Sequence, residues 1–180
     1  MVKLNLSSQI VLNKVPEEFY HPKTAVELSE LTRCEKLPTT IFPKTEEGAL
    51  SIATTIANAI RQKQQSGQYC VLGLGTGSSL TPVFNELIRL HKEEKLSFSN
   101  VVVFNAYEYF PLQPSAKNST LNQLKERLLN HIDINPQNVF TLEGTVPQER
   151  VQESCRRYEQ RIQSLGGLAI MPLGLGRLGN

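Results

Sequence analysis

Three short segments hold the residues whose types and spacing could do chemistry. The first, LGLGTGSS, contains Gly75, Thr76, Gly77, Ser78 and Ser79. Glycines let a backbone turn sharply and approach a ligand closely. A helix beginning just beyond them would offer unpaired N–H groups and a positive dipole end, and Thr76, Ser78 and Ser79 add hydroxyls, a cradle that suits a phosphate. Two commoner glycine-loop patterns fail: GxGxxG needs glycine where Ser78 stands, and GxxxxGK[ST] needs a lysine this loop lacks. The competing reading is a tight strand-to-helix turn with no ligand.

The second segment is FNAYEYFPL, with Asn105, Tyr107, Glu108 and Tyr109. Its loop is long for a plain connection. Aromatic rings can stack on sugar faces, and Glu108 is a candidate general acid or base. The plainer alternative is a loop with packed tyrosines and a solvated glutamate. The third segment, LGLGRLGN, brings Gly176 for close approach and Arg177 for a phosphate or carboxylate. Its alternative is a turn carrying a surface arginine.

The elements that must position these segments follow from periodicity. Ala49, Ile52, Ala53, Ile56, Ala57 and Ile60 predict a helix over residues 45–64, with Thr45 as N-cap and Gly67 as terminator. YCVLGL (69–74) reads as a buried strand. Thr81 and Pro82 then open a helix with Val83, Phe84, Leu87, Ile88 and His91 on its inner stripe. VVVF (101–104) is a second buried strand, followed by a helix over 120–131 presenting Leu121, Leu124, Leu128 and Leu129. A strand over 138–142 follows. A helix opened by Pro147 then faces inward through Val151, Cys155, Tyr158, Ile162 and Leu165, ending at Gly166 and Gly167. LAIMPLGLG predicts a last strand entering the third segment. Strands alternating with helices predict an open, mainly parallel α/β sheet with helices on both faces. Ligands bind such sheets beyond the C-terminal strand ends, where all three segments fall. Residues 1–40 read as an N-terminal extension with one short helix around 24–34, and 41–180 as the α/β domain. A buried strand followed by a glycine loop and no covering helix predicts that the natural protein continues beyond Asn180.

Composition narrows the function classes. Of 180 residues, 39% are apolar and 20% charged, a balance that favours a folded globular chain over a disordered one. A net charge of +2 gives no reason to expect nucleic acid or an anionic membrane as partner. No stretch approaches the roughly 20 apolar residues of a membrane span, and the N-terminus has no signal-type apolar region. Cys34, Cys70 and Cys155 are scattered, against a disulfide framework or a cysteine-built zinc site; Cys70 and Cys155 read as small core residues, and a reducing cytoplasm fits. The histidines are dispersed too, so no protein-built metal site is expected; no cofactor is expected either.

Taken together, GTGSS, FNAYEY and GLGRLGN resemble, in order and spacing, the glucosamine-6-phosphate deaminase/isomerase family, whose wider group includes 6-phosphogluconolactonases. The family pairs a TG[GS][ST]-type phosphate loop with FNxDEY and a later GxGxDGH. LIRLHKEEKLSFSNVVVF and NHIDINPQNVF…EGT share the likeness, which covers about residues 42–180. The resemblance implies a Rossmann-like fold of sugar-phosphate isomerase type and aldose–ketose isomerisation with loss of ammonia from an amino-sugar phosphate such as glucosamine 6-phosphate. It implies phosphate or substrate contacts at Gly75, Thr76, Gly77, Ser78, Ser79, Asn105, Tyr109, Gly176 and Arg177, and catalytic positions at Glu108, Tyr107 and Asn180. Three of this chain's residues depart from the pattern. Tyr107 replaces the aspartate of FNxDEY, Leu178 the aspartate of GxGxDGH, and Asn180 its histidine. Phenols ordinarily titrate near pH ~10 and are poor bases at neutral pH, and an amide cannot shuttle protons. A catalytically impaired sugar-phosphate-binding or regulatory module is therefore the alternative, and a 6-phosphogluconolactonase-like hydrolase a further one. The resemblance leaves homo-oligomerisation and a fused C-terminal domain open.

Overall fold

A computed structural model of the chain describes residues 23–33 and 39–175. Those residues divide into a compact unit, Ala49–Gly174, and a smaller one holding the described residues up to Gly48 together with Leu175. Most of the expected extension over 1–40 lies outside the described residues, as do Cys34, Gly176, Arg177, Leu178 and Asn180. Within the smaller unit, helix α1 (Ala25–Thr32) starts at a reciprocal capping box. Glu27 N–H donates to Thr24 Oγ1 at 3.1 Å, and Thr24 N–H donates back to Glu27 Oε2 at 3.3 Å.

The larger unit is built on a parallel three-stranded sheet in the order β1 (Cys70–Leu74), β2 (Val101–Asn105), β3 (Val139–Phe140). The register runs from Cys70↔Val101 to Leu74↔Asn105, then Val103↔Val139 and Phe104↔Phe140. Alternation along the strands separates two apolar clusters. Cys70, Leu72, Leu74, Val101 and Val103 face α2 (Thr45–Gln65), α3 (Thr81–Glu94) and α4 (Thr120–Arg127). Val71, Val102 and Phe104 face Tyr158 and Ile162 of α5 (Val151–Ser164) and Leu165, which caps its end. Helices thus cover both faces, as the element order predicts.

The differences from sequence expectation have local causes. Ile52 is 42% exposed, because at about 100° per residue it falls outside the stripe of Ala49, Ala53, Ile56, Ala57 and Ile60 that α2 buries. Thr45 is the first helical residue of α2 rather than its cap. Gly67, at φ +64°, does end the helix, with Gln68 N–H donating to Lys63 O at 2.9 Å. Thr81 also lies inside its helix; a 3-10 turn, Ser78–Leu80, leads into α3, whose fourth buried residue is Leu90. His91 is only half-buried, its Nδ1 lying 2.7 Å from Leu96 O.

Helix α4 stops at Arg127, and a 3-10 turn over Leu129–His131 lets the adjacent Leu128 and Leu129 both reach the core. The strand expected over 138–142 shrinks to Val139–Phe140: Asn138 belongs to a 3-10 turn, and β2 ends at Asn105. The strand expected after Gly167 reduces to one parallel bridge, Leu72↔Ile170. Positive-φ glycines 166 and 167 precede it and Pro172, which has no N–H, follows. Cys70 is a buried core residue whose thiol pKa burial pushes up, the nearby Lys63 charge opposing. Cys155 is not: it is exposed and borders a cavity of about 260 Å³ over Gly73 and Phe104 instead of packing against the sheet.

Candidate functional site

The C-terminal ends of β1 and β2 are neighbours in the sheet, so the loops that leave them must meet. Ala106 N–H still donates to Leu74 O at 2.8 Å, extending the pairing one residue past β2. Beyond it, Tyr107 turns onto the glycine loop. Its hydroxyl lies 3.2 Å from Thr76 Oγ1, and its Cε1 would stand 3.3 Å from a Cβ at Gly75. That close approach is what glycine at position 75 permits. Thr76 is 5% exposed, whereas Gly77, Ser78 and Ser79 face solvent. The N–H groups of Thr76 and Gly77 donate to no backbone acceptor among the described residues. Unspent donors just before a helix are what an anion-binding turn needs.

Gly174 reaches the same corner, since a Cβ there would stand 3.0 Å from Ser79 Oγ. Tyr109 packs edge-on against Tyr107, ring centres 6.3 Å apart, and both rings remain substantially exposed. The fold therefore brings Gly75, Thr76, Tyr107 and Tyr109 into one cluster, with Ser79 at its edge by Gly174. Gly176, Arg177 and Asn180 lie outside the described residues.

Glu108 is half-buried and reaches the start of α4. One carboxylate oxygen accepts from Tyr109 N and Thr120 N, each at 3.0 Å; the other accepts from Ser119 Oγ at 2.8 Å and Leu121 N at 3.4 Å. Burial alone would raise its pKa, but these four donors outweigh it and hold the carboxyl below the ordinary glutamate value. The position complements the positive end of α4. Thr120 completes the lock: its hydroxyl donates to Tyr107 O and accepts from Asn105 Nδ2 at 2.8 Å. Asn105 is 1% exposed, its Oδ1 buried without a partner and its main-chain O 2.9 Å from the Tyr158 hydroxyl. Asn105 is thus a buried link between β2 and α4.

Several participants are absent from the sequence reading. Ser119 stands immediately before α4 and Thr120 opens it, a place where hydroxyl residues signal a helix start. Gly144 seats the aromatic loop: a Cβ there would lie 2.5 Å from Leu112 O and 2.9 Å from Tyr109 O. Arg127, whose Nη1 donates to Thr76 O at 2.8 Å across 51 residues, carried no local signal. Cavity size does not mark the site. A cavity of about 710 Å³ lies by Lys63, Tyr69 and Gly167, toward the opposite end of the strands. No three His, Cys, Asp or Glu side chains among the described residues converge as a metal site, and no described helix is long and apolar enough to cross a membrane.

Residues 43–179 match the profile of the family described as glucosamine-6-phosphate isomerases/6-phosphogluconolactonase. A glucosamine-6-phosphate deaminase-like protein of Bacteroides thetaiotaomicron is 55% identical over 99% of this chain and 27% of its own length. Glucosamine-6-phosphate deaminase 2 of Giardia intestinalis is 40% identical over 76% of this chain and 50% of its own. A solved structure of a monomeric glucosamine-6-phosphate deaminase superposes with a TM-score of 0.70 at 36% identity, covering 76% of this chain and 54% of that one. The 6-phosphogluconolactonase of Thermotoga maritima, at 20% identity and a TM-score of 0.58 over 72% of this chain and 56% of that one, shares the fold. The chain therefore spans about half the length of these relatives, and about a quarter of the Bacteroides protein. The profile match over 43–179, more than half of the chain, settles its kinship: the chain belongs to the glucosamine-6-phosphate isomerase/6-phosphogluconolactonase family.

Proposed function

We propose that this chain forms the phosphate-holding part of a sugar-phosphate isomerase or deaminase acting on an amino-sugar phosphate such as glucosamine 6-phosphate. The observation that carries the reading is the junction of Thr76 with Tyr107 at the ends of two adjacent parallel strands, beside the unspent N–H groups of the glycine loop. In this reading Gly75, Thr76, Gly77, Ser78 and Ser79 cradle the phosphate, while the exposed faces of Tyr107 and Tyr109 flank the sugar. The family resemblance adds Gly176 and Arg177 as expected substrate contacts and Asn180 as an expected catalytic position.

Isomerisation requires a base that takes a proton from C2 and returns one to C1. The four donors around Glu108 support a positioning role for that carboxylate over the acid–base role its place in FNAYEY suggests. This favours a second reading, a sugar-phosphate-binding module without turnover, because a phenol stands at Tyr107 and its hydroxyl already engages Thr76. Glucosamine 6-phosphate followed by proton NMR in heavy water separates the two. Loss of the C2 proton signal supports the enzyme. Binding with the C2 signal intact supports the module, and neither effect rejects this substrate.

A further inference from the structure

We propose that Arg127 is the positioning residue of the glycine loop, fixing the direction in which the loop presents its amide donors to a phosphate. The inference rests on the reading of residues 75–79 as a phosphate loop and deepens it. Arg127 is the last residue of α4, and its side chain leaves that helix end to donate from Nη1 to Thr76 O at 2.8 Å. The Thr76–Gly77 peptide is planar and trans, so its carbonyl and its N–H point in opposite directions. Holding the Thr76 carbonyl toward α4 therefore aims the Gly77 N–H away from α4.

Gly77 and its neighbour Ser78 are exposed, and the Gly77 N–H has no backbone acceptor among the described residues. A glycine flanked by glycine-tolerant turns has little intrinsic preference for one peptide orientation. A guanidinium supplies that preference through a charge-assisted bond, and its remaining N–H groups add positive charge behind the loop. Arg127 forms no ion pair with a carboxylate among the described residues, so its charge is not cancelled locally. The same α4 fixes Tyr107 O and Glu108 through Thr120, so one helix sets both loops relative to each other.

Amide-resolved NMR of the full chain tests this with inorganic phosphate and glucosamine 6-phosphate, against glucosamine. In the wild type, both phosphates should shift the Gly77 and Ser78 amide resonances and glucosamine should not. Arg127→Gln should move the ligand-free Gly77 resonance and weaken phosphate binding about tenfold, the scale of one lost charge-assisted hydrogen bond. Arg127→Lys should recover part of the affinity. Wild-type affinity in Arg127→Gln overturns the inference and leaves the phosphate-loop reading standing. No phosphate response in the wild type overturns that reading and the inference with it. Should Arg127→Gln not fold, Arg127→Lys decides. Affinity that drops as the Gly77 resonance moves supports the inference, and wild-type affinity with a moved resonance overturns it.

Discussion

Glu108 shows how the partners of a residue redefine a motif. Read along the chain, it is a carboxylate between two tyrosines at a strand end, and acid–base chemistry is the natural expectation. Its four donors are contributed by Tyr109 and, about a dozen positions on, by Ser119 and the first two residues of α4, and no sequence spacing announces them. Replacing it with glutamine removes the charge and sets an NH₂ against donors. We expect Glu108→Gln to cost about 1–2 kcal/mol in urea denaturation, the scale of a lost helix cap. Turnover on glucosamine 6-phosphate, where the wild type shows it, should fall less than tenfold; a loss of a thousandfold or more would return the acid–base role to this carboxylate. Its lowered pKa also carries a sign. The stabilisation is complete above the ordinary glutamate value of about 4.3 and is lost as pH falls through the folded-state value. Asp133 behaves alike: burial would raise its pKa, but Phe98 N at 2.6 Å, Ser97 Oγ at 2.7 Å and the His91 ring hold it down. The denaturation midpoint should therefore drop steeply below about pH 4. Glu108→Gln and Asp133→Asn should each flatten that drop; an unchanged slope in both would exclude these two carboxylates as its source.

The glycines rank the connections between elements. At Gly144 a methyl group would meet two backbone carbonyls, Leu112 O at 2.5 Å and Tyr109 O at 2.9 Å, which cannot yield without moving the aromatic loop. At Gly73 it would meet the side chains of Leu168 and Met171 at 3.0 Å, and a methionine can swing aside. Gly144→Ala should thus destabilise by about 1–3 kcal/mol or more and shift the Tyr109–Leu112 resonances, while Gly73→Ala should cost less. Equal costs would mean that the aromatic loop is not seated on Gly144. Much of this level was legible beforehand. Buried strands over Cys70–Leu74 and Val101–Asn105 announce themselves as apolar runs bounded by turns, and α2 and α3 by helical periodicity. Junctions were less legible. The end of α4 depends on burying two consecutive leucines, and the edge segment at Ile170 depends on Pro172 and on what β1 can pair with. The site follows the same rule. The glycine loop and Tyr107 were nameable because both sit at strand ends, whereas Arg127 and Gly144 act through backbone carbonyls far away in sequence.

At the scale of the molecule, the two sides of the sheet are unequally built. Among the described residues, the cluster that the sheet forms with α2, α3 and α4 holds 21 buried residues, among them Leu87 and Phe84, whereas the α5 side holds Val71, Val102 and Phe104 with only partly buried partners. No residue of α5 is itself buried; it is held through Tyr158, whose hydroxyl lies 2.9 Å from Asn105 O and 3.2 Å from Phe140 O, and through Ile162 and Leu165. Elements with few buried apolar contacts open at lower free energy than the whole. In hydrogen exchange, the amides of α5 should therefore lose protection well before those of α3, through a local opening. Leu87→Ala, emptying a fully enclosed site, should cost about 2–5 kcal/mol and lower protection in α2, α3, β1 and β2 together. Ile162→Ala should cost about half as much and lower it in α5 and β3 alone. Because Tyr158 fastens α5 to the carbonyl of Asn105, one residue before the aromatic loop, Tyr158→Phe should loosen α5 and broaden the Tyr107 and Tyr109 resonances in the same step. If α5 opens while those tyrosines stay sharp, the loop is held from the α4 side alone, through Thr120 and Glu108.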